Sequence, residues 1–434
     1  MSICIIEIYV LKPQSETNPT PNTPILPAEP ADRTLLLFWF LIAVSLLLGF
    51  NVFMHLKDTI GDEGVHSYQI YKFINGSYEH FKYVTMVPVY HAANALIVKL
   101  HGFTELNFLR FSNLLLSAIA IPSFLALVKT FYPHQAYIRT LQFVFVPIIF
   151  PLFFLIYTDL FSLAFALAMI ERTLKKKYKM AAVFAFFAVF VRQPNLIWVG
   201  YCCLLILLDM DRPLLSKSTL SAYLEKVWPF ILVILSFGVF VIWNGGVAVG
   251  DADQHQVSLN ISNFYFFLLV SFALFLPYNI ARLGDVKDLL VNNKWLILLI
   301  IVMFFVYMET YEHPHKYNTK ELSFYRHNLI LYYSCDVYWL RILSYFAMAW
   351  MALSYYAAAL VTKDRMPLML LLPVTLLATV PLPLIEQRYY LVSLSLFLAL
   401  RPPIPEKVTA LTLIYYISVT GYVIYNMSRM KFFL

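Results

Sequence analysis

At 434 residues, 61% of them hydrophobic and only 13% charged, the chain is too apolar for a soluble globular protein, whose charged share is about a quarter. Its mean hydropathy of +0.71 and repeated apolar runs of helical length predict an all-α polytopic membrane protein, and they exclude an outer-membrane barrel of ~10-residue alternating strands. The net charge of +7 does not mark a nucleic-acid binder, because the Lys and Arg residues sit in short loops between apolar runs, where they bias topology.

Residues 1–33 are rich in Pro, Thr, Asn and Ala and hold too little apolar surface to fold alone, so they read as a disordered tail. The first span is expected over Leu35–Phe53, as an uncleaved anchor within a membrane domain of residues 34–434. A polar segment of about residues 55–106 comes next. Further spans are expected at Asn107–Val128, Thr140–Ile156, Leu160–Leu174, Met180–Val191, Leu196–Leu208, Trp228–Trp243 and Phe264–Ile280. The rest lie at Trp295–Met308, Tyr338–Val361, Pro367–Val380, Tyr389–Leu400 and Val408–Tyr425, for roughly 12 to 14 transmembrane helices in all. Cys4, Cys202, Cys203 and Cys335 have neither disulfide-framework nor metal-ligand spacing.

Basic loops set the orientation. Arg172 with Lys175, Lys176, Lys177 and Lys179, then Arg212, Lys217 and Lys226, then Arg282, Lys287 and Lys294 are expected on the cytoplasmic side. The loops between them then share the opposite face, and these carry Asp, Glu, His, Gln, Asn and Tyr at span ends. A site assembled from several loop tips on one side suits an enzyme that meets a lipid-borne substrate there. A transporter would instead place charges near mid-span, with Gly or Pro interruptions at matching positions of two halves, and no such symmetry is seen.

Asp62 and Glu63 open that face. A glycosyl transfer that displaces a phosphate needs a base for the acceptor hydroxyl, and a carboxylate in reach serves. His66 and Gln69 follow at helical spacing. Thr85 lies beyond a run of aromatics that either cover a lipid groove or form an interfacial belt. Asp159 sits at the outer end of one span and Arg192, with Gln193 and Asn195, at another; the arginine either binds a phosphate or anchors its helix by snorkelling. Asn244 to Asp251 lacks the Gly-Lys-Ser/Thr ending of a phosphate loop, so its glycines are assigned to a tight turn, with His255 beyond. His313, His315 and His327 match no metal spacing, and with Lys316, Lys320 and Arg326 they make a positive face suited to phosphates. Glu386 and Arg388 read either as a self-contained ion pair or as an acid holding an arginine toward a phosphate.

Taken in order, these stretches resemble one family, the endoplasmic-reticulum α-1,2-glucosyltransferases that add the third and last glucose to the dolichol-linked N-glycan precursor. Asp62, Glu63, His66 and Gln69 are similar to its Asp-Glu-x-x-His-x-x-Gln motif, and Thr85 and Pro88 to part of its Thr-Thr-Pro-Pro segment. Tyr157-Thr158-Asp159 resembles its Tyr-Thr-Asp, and Arg192-Gln193-Pro194-Asn195 its Arg-Gln-Thr-Asn. Asn244-Gly245-Gly246 through Gly250-Asp251 resembles its Asn-Gly-Gly-x-x-x-Gly-Asp loop, while His313-Pro314, Phe324-Tyr325, and Glu386, Arg388 and Tyr389 match later motifs. Residues 318–323 depart from the pattern, with Lys320 where the family has arginine.

The resemblance implies a GT-C membrane fold with its active site at the lumenal face and 55–106 as the first catalytic loop. It implies dolichyl-phosphate glucose as donor, a diglucosylated dolichyl-pyrophosphate-linked oligosaccharide as acceptor, and an inverting displacement with no cofactor, nucleotide sugar or required metal. The setting is the endoplasmic reticulum membrane; in a prokaryotic source the plasma membrane and another polyprenol replace it. Asp62 is the expected base, with Glu63 orienting the hydroxyl or acting as alternate base. His66, Gln69 and Asp159 would shape the sugar site, with Thr85, Gln193, Asn195, Asp251, His313, Tyr325 and Glu386 also contacting substrate. Arg192, Lys320 and Arg388 would bind phosphate. A related polyprenyl-phosphate-dependent glycosyltransferase would keep Asp62 and the cations but change the sugar-contacting loops.

Overall fold

The computed structural model describes residues 32–210, 216–254, 256–318 and 328–431; Lys320, Tyr325, Arg326, His255 and His327 lie outside them. The described residues are helical, without a strand. Two compact units are distinguished, residues 1–41 and 42–434. The first contributes, among the described residues, only the opening turns of α1 (Asp32–Met54), and the polar loops all belong to the second.

The polar segment folds into α2 (Glu63–Ile74) and α3 (Val89–His101), which pack on each other. Their apolar faces meet Leu109, Leu116, Ile156 and Phe161 in one cluster around Ile70, Tyr90 and Val98. The loop is thus folded into two short helices. Next come α4 (Leu106–Ala118) and α5 (Ala120–Phe131), which together make one apolar span, and α6 (Ala136–Val144). The centre of the molecule is α7 (Asp159–Leu174), packed against α5 and α8 (Tyr178–Val191). Buried alanines, Ala164 and Ala166 on one helix and Ala181, Ala185 and Ala188 on the other, allow that close approach.

The chain continues through α9 (Leu196–Leu208), α10 (Lys217–Asn244), α11 (Ser262–Leu274), α12 (Leu276–Ala281), α13 (Leu283–Asn292) and α14 (Trp295–Thr310). It ends with α15 (Leu329–Asp336), α16 (Tyr338–Val361), α17 (Met366–Thr379), α18 (Leu391–Leu400) and α19 (Glu406–Ser428).

Among the described residues, five helical stretches are long and apolar enough to cross a membrane, or six if α13 and α14, bent by 102°, count as one span. The expected spans outnumber these, because several of them, α8, α9 and α17 among them, are shorter apolar helices, and two others are broken. Thr140–Ile156 is not one span: α6 ends at Val144, and a turn and a short 3-10 segment at Phe150–Phe153 come after it, since Pro147 and Pro151 cannot donate to a continuing helix. Phe264–Ile280 likewise divides at Phe275, just before Pro277.

Candidate active site

Gly61, at φ +58, turns the chain into α2 in a conformation that costs glycine little. The turn sends the two neighbouring carboxylates to different places. Glu63 is fully buried and takes four donors: Ile60 N–H at 2.8 Å, Ile156 N–H at 3.0 Å, and Nε and Nη2 of Arg110 at 3.1 and 2.7 Å. Arg110, equally buried on α4, spends its other N–H groups on the carbonyls of Phe53, Leu56 and Asp58. With all of its lone pairs engaged and no path to solvent, Glu63 holds the loop in place. Four donors match the four lone-pair positions of its two oxygens.

Asp62 keeps 29% of its side chain exposed. Its N–H donates to the Tyr157 hydroxyl at 2.9 Å, and that hydroxyl donates to the Ile60 carbonyl. Its Oδ2 accepts from Arg388 Nη2 at 2.9 Å. Arg388 comes from the short 3-10 segment Gln387–Tyr390, and the same Nη2 lies 2.7 Å from both oxygens of Glu386. A third carboxylate, Asp159 at the first turn of α7, places Oδ2 3.7 Å from Arg388 Nη1 and pairs through Oδ1 with Arg192. An acid at that helix end also meets the positive pole of the helix dipole. Arg388 lies over the Tyr157 ring at 4.7 Å. Burial disfavours its charge, yet Glu386, Asp62 and Asp159 together raise its pKa well above the ordinary value.

Three carboxylates therefore meet two guanidinium groups, leaving one negative charge in excess. Within the cluster Asp159 and Arg388 are buried, while Asp62 and Arg192, the latter 20% exposed, reach outward. A cleft beside them is lined by the charged and polar Asp159, Arg192, Asn195 and Arg388 together with apolar residues, Trp198 and Val392 among them.

The remaining predicted residues divide between this cluster and its frame. His66 is buried one turn beyond Asp62, its Nδ1 2.9 Å from His91 Nε2 and its ring edge-on to Tyr157. Burial lowers its pKa to about 4, against the pull of Asp62, so it is neutral at pH 7. Gln69 bonds outside the charged cluster: it is fully buried, accepting the Phe81 N–H at 2.6 Å and donating to the Glu79 carbonyl at 3.2 Å, and so shapes the loop after α2. Gln193 stitches loops, donating to the carbonyls of Thr85 and Val247, both at 3.2 Å. The Thr85 carbonyl also accepts the Val249 N–H, and the Asp251 N–H, in a left-handed residue at φ +45, donates to the Lys82 carbonyl. The glycine loop turns as expected: Gly245 ends α10 at φ +75, and Asn244 bonds to the carbonyls of Gly246 and Ala248. Asn195 ties α8 to α7 through the Ala188 carbonyl and the Ser162 hydroxyl, at 2.8 and 2.6 Å.

His313 pairs with Asp336 at 2.9 Å, at the start of a segment whose Asn318 exchanges two bonds with Ile385, next to Glu386. Arg110 and His91 do not figure among the predicted site residues. Arg110 carried a signal all the same, as the only charge in α4. His91 carried none, because its partner lies 25 residues away.

Residues 56–219 and 212–399 match the sequence model of the DIE2/ALG10 family. Among curated relatives, an Arabidopsis thaliana protein is 27% identical over 405 residues, covering 74% of this chain and 74% of its own length. A Rattus norvegicus protein is 24% identical over 433 residues, covering 84% and 88%, and one from Candida albicans is 24% identical over 315 residues, covering 67% and 68%. Each is named Dol-P-Glc:Glc(2)Man(9)GlcNAc(2)-PP-Dol alpha-1,2-glucosyltransferase. No solved structure matches the chain. With both stretches of the family model matched in order across most of its length, the chain belongs to the DIE2/ALG10 family.

Proposed function

We propose that the protein transfers glucose from dolichyl-phosphate glucose to the diglucosylated, dolichyl-pyrophosphate-linked oligosaccharide, forming the terminal α-1,2 linkage of the N-glycan precursor. The family match and the shared name of its relatives support the reaction. The helices support a multi-pass membrane setting, and the reading places it in the endoplasmic reticulum.

The acceptor hydroxyl attacks C1 of the donor glucose from the face opposite the phosphate. The C1–O bond breaks with its electron pair leaving on dolichyl phosphate, the β linkage becomes α, and the hydroxyl proton passes to Asp62. The observation that carries this assignment is the exposure of Asp62, the most open carboxylate of the cluster, whose partner Arg388 lines a cleft of mixed charged and apolar residues. Arg388 orients Asp62 and is itself held by Glu386 and Asp159. Arg192, the more open cation, meets the leaving phosphate; its guanidinium can present two parallel donors to phosphate oxygens. Glu63, Gln69, Gln193 and Asn195 are positioning residues.

The test is glucose transfer by the purified full-length protein from synthetic dolichyl-phosphate glucose to the diglucosylated lipid-linked acceptor. Asp62→Asn is expected to lower kcat by about 10²–10⁴-fold in a folded protein. Arg192→Lys is expected to raise KM for the donor more than for the acceptor. A near wild-type rate for Asp62→Asn would move the base to another carboxylate of the cluster. Wild-type product only with a different donor sugar would overturn the specificity and leave the site standing.

A further inference from the structure

We propose that His313, Cys335 and Asp336 form a zinc site that ties the end of α14 to the junction of α15 and α16. Each residue offers one ligand atom, and the imidazole nitrogen, thiol sulfur and carboxylate oxygen all lie within 4.8 Å of one another. Tetrahedral zinc takes this nitrogen, sulfur and oxygen set at about 2.0–2.3 Å. Small side-chain shifts close the remaining gap.

Four features favour zinc over a bare cluster of polar groups. The ligands come from two segments already stitched together: the Cys335 thiol donates to the Tyr311 carbonyl at 3.2 Å, the Tyr311 and Ser334 hydroxyls are 2.9 Å apart, and Arg341 donates to the Met308 carbonyl at 2.6 Å. The three donors are therefore brought together before any ion binds, and the ion has little chain entropy left to overcome. The sulfur selects a borderline-soft cation over magnesium or calcium, which take oxygen. One thiolate and one carboxylate neutralise a divalent ion, so the filled site carries no net charge to desolvate.

Cys335 is buried, whereas Asp336, with 40% of its side chain exposed, gives an ion a way in. Coordination breaks the S–H bond, releases the proton to solvent, and leaves the sulfur's electron pair on the metal. Three protein ligands leave the fourth position to a water molecule. The sequence concealed this group because His313 and Cys335 are 22 positions apart, while the imidazoles that cluster in the sequence, His313, His315 and His327, are a different set.

The purified, chelator-stripped full chain in detergent is titrated with Zn²⁺ against a chromophoric chelator, and separately with Co²⁺. Wild type is expected to take one equivalent of zinc, and Co²⁺ to give a thiolate charge-transfer band in the near ultraviolet. Cys335→Ser should abolish the band and weaken zinc by at least about tenfold, since even losing an outer partner of a metal ligand costs that much. Asp336→Asn, at a half-exposed position that tolerates change, should weaken zinc similarly if Cys335→Ser fails to fold. Cys203→Ser, outside the group, should retain both signals. Equal zinc affinity in wild type, Cys335→Ser and Asp336→Asn, or no band in wild type, would overturn the site.

Discussion

Asp62 and Glu63 share a chemistry and differ in supply. Four donors converge on Glu63, and a fifth ligand, the substrate, would have to displace one of them. Breaking a buried pair by neutralising one partner leaves the other charge unsolvated, at a cost of about 3–5 kcal/mol. Arg110→Met and Glu63→Gln are therefore expected to reduce the folded yield and thermal stability of the protein. Asp62→Asn, at an exposed carboxylate, should lose activity with a melting temperature close to wild type. Equal losses of stability in all three variants would sink the distinction. His66 adds a pH signature. Its pKa is lowered by burial to about 4 from the ordinary 6.5, so its contribution to stability is complete above pH 6.5 and is lost as pH falls toward 4. The full difference amounts to about 3 kcal/mol. His91, also lowered by burial and then by its neighbour His66, adds in the same direction. Wild type should lose stability more steeply than His66→Asn between pH 7 and 5, and parallel curves would dismiss the role. At this scale the sequence reveals residue type but not environment. Nothing in Asp62-Glu63 tells which carboxylate turns outward, because Arg110 and the Ile156 N–H reach Glu63 from 47 and 93 positions away.

Elements bring the cluster together by ending where they do. Asp62 precedes α2, Asp159 begins α7, Arg192 follows α8 and Arg388 precedes α18, so four helix ends deliver four charges to one place. Gly61 and Pro194 mark two of those ends, and their positions were readable; what prolines do to apolar runs was not fully so. A run such as Thr140–Ile156 satisfies hydropathy while Pro147 and Pro151 break its hydrogen bonding, and only packing shows which effect prevails. The glycine loop offers a sharper test. A Cβ on Gly250 would lie 2.4 Å from the Lys82 carbonyl oxygen and 2.7 Å from that of Val84, both backbone atoms that cannot swing aside. Gly250→Ala should push the loop off residues 82–85 and strain the bonds from Asp251 and Val249, costing about 1–3 kcal/mol and most of the transfer activity. Gly246→Ala, with nothing within 4 Å of its Cβ, should leave both unchanged. The informative result is the contrast, read by thermal unfolding and kcat/KM on the same preparations.

The whole molecule is polarised end to end, and α7 measures the separation. Its first residue, Asp159, joins the acid and arginine cluster; beyond its last turn, Lys176 pairs with Asp209 at 2.8 Å, in a cleft shared with Lys363 and Arg365. Sixteen residues of helix put about 24 Å between the two ends, close to the ~30 Å of a bilayer's hydrocarbon core. The alternation of bland basic loops with chemically varied ones was legible in the sequence, and the contacts join several of the varied loops. Residues 82–85, 193 and 247–251 are bonded to one another, and 159, 192 and 386–388 meet at Asp62. Which end faces which compartment is a property of the membrane, and the basic loops supply the argument. Sealed microsomes carrying Lys177→Cys or Val247→Cys, treated with an impermeant thiol reagent, test it directly. The exposed position 177 should react in intact vesicles, and position 247, whose side chain is 46% exposed, only after permeabilisation. The reverse pattern would turn the enzyme over and place its substrates in the cytosol. Reaction of both positions in intact vesicles would mean that the two ends of α7 do not lie on opposite sides of the membrane, and the segregation of charge would need another cause.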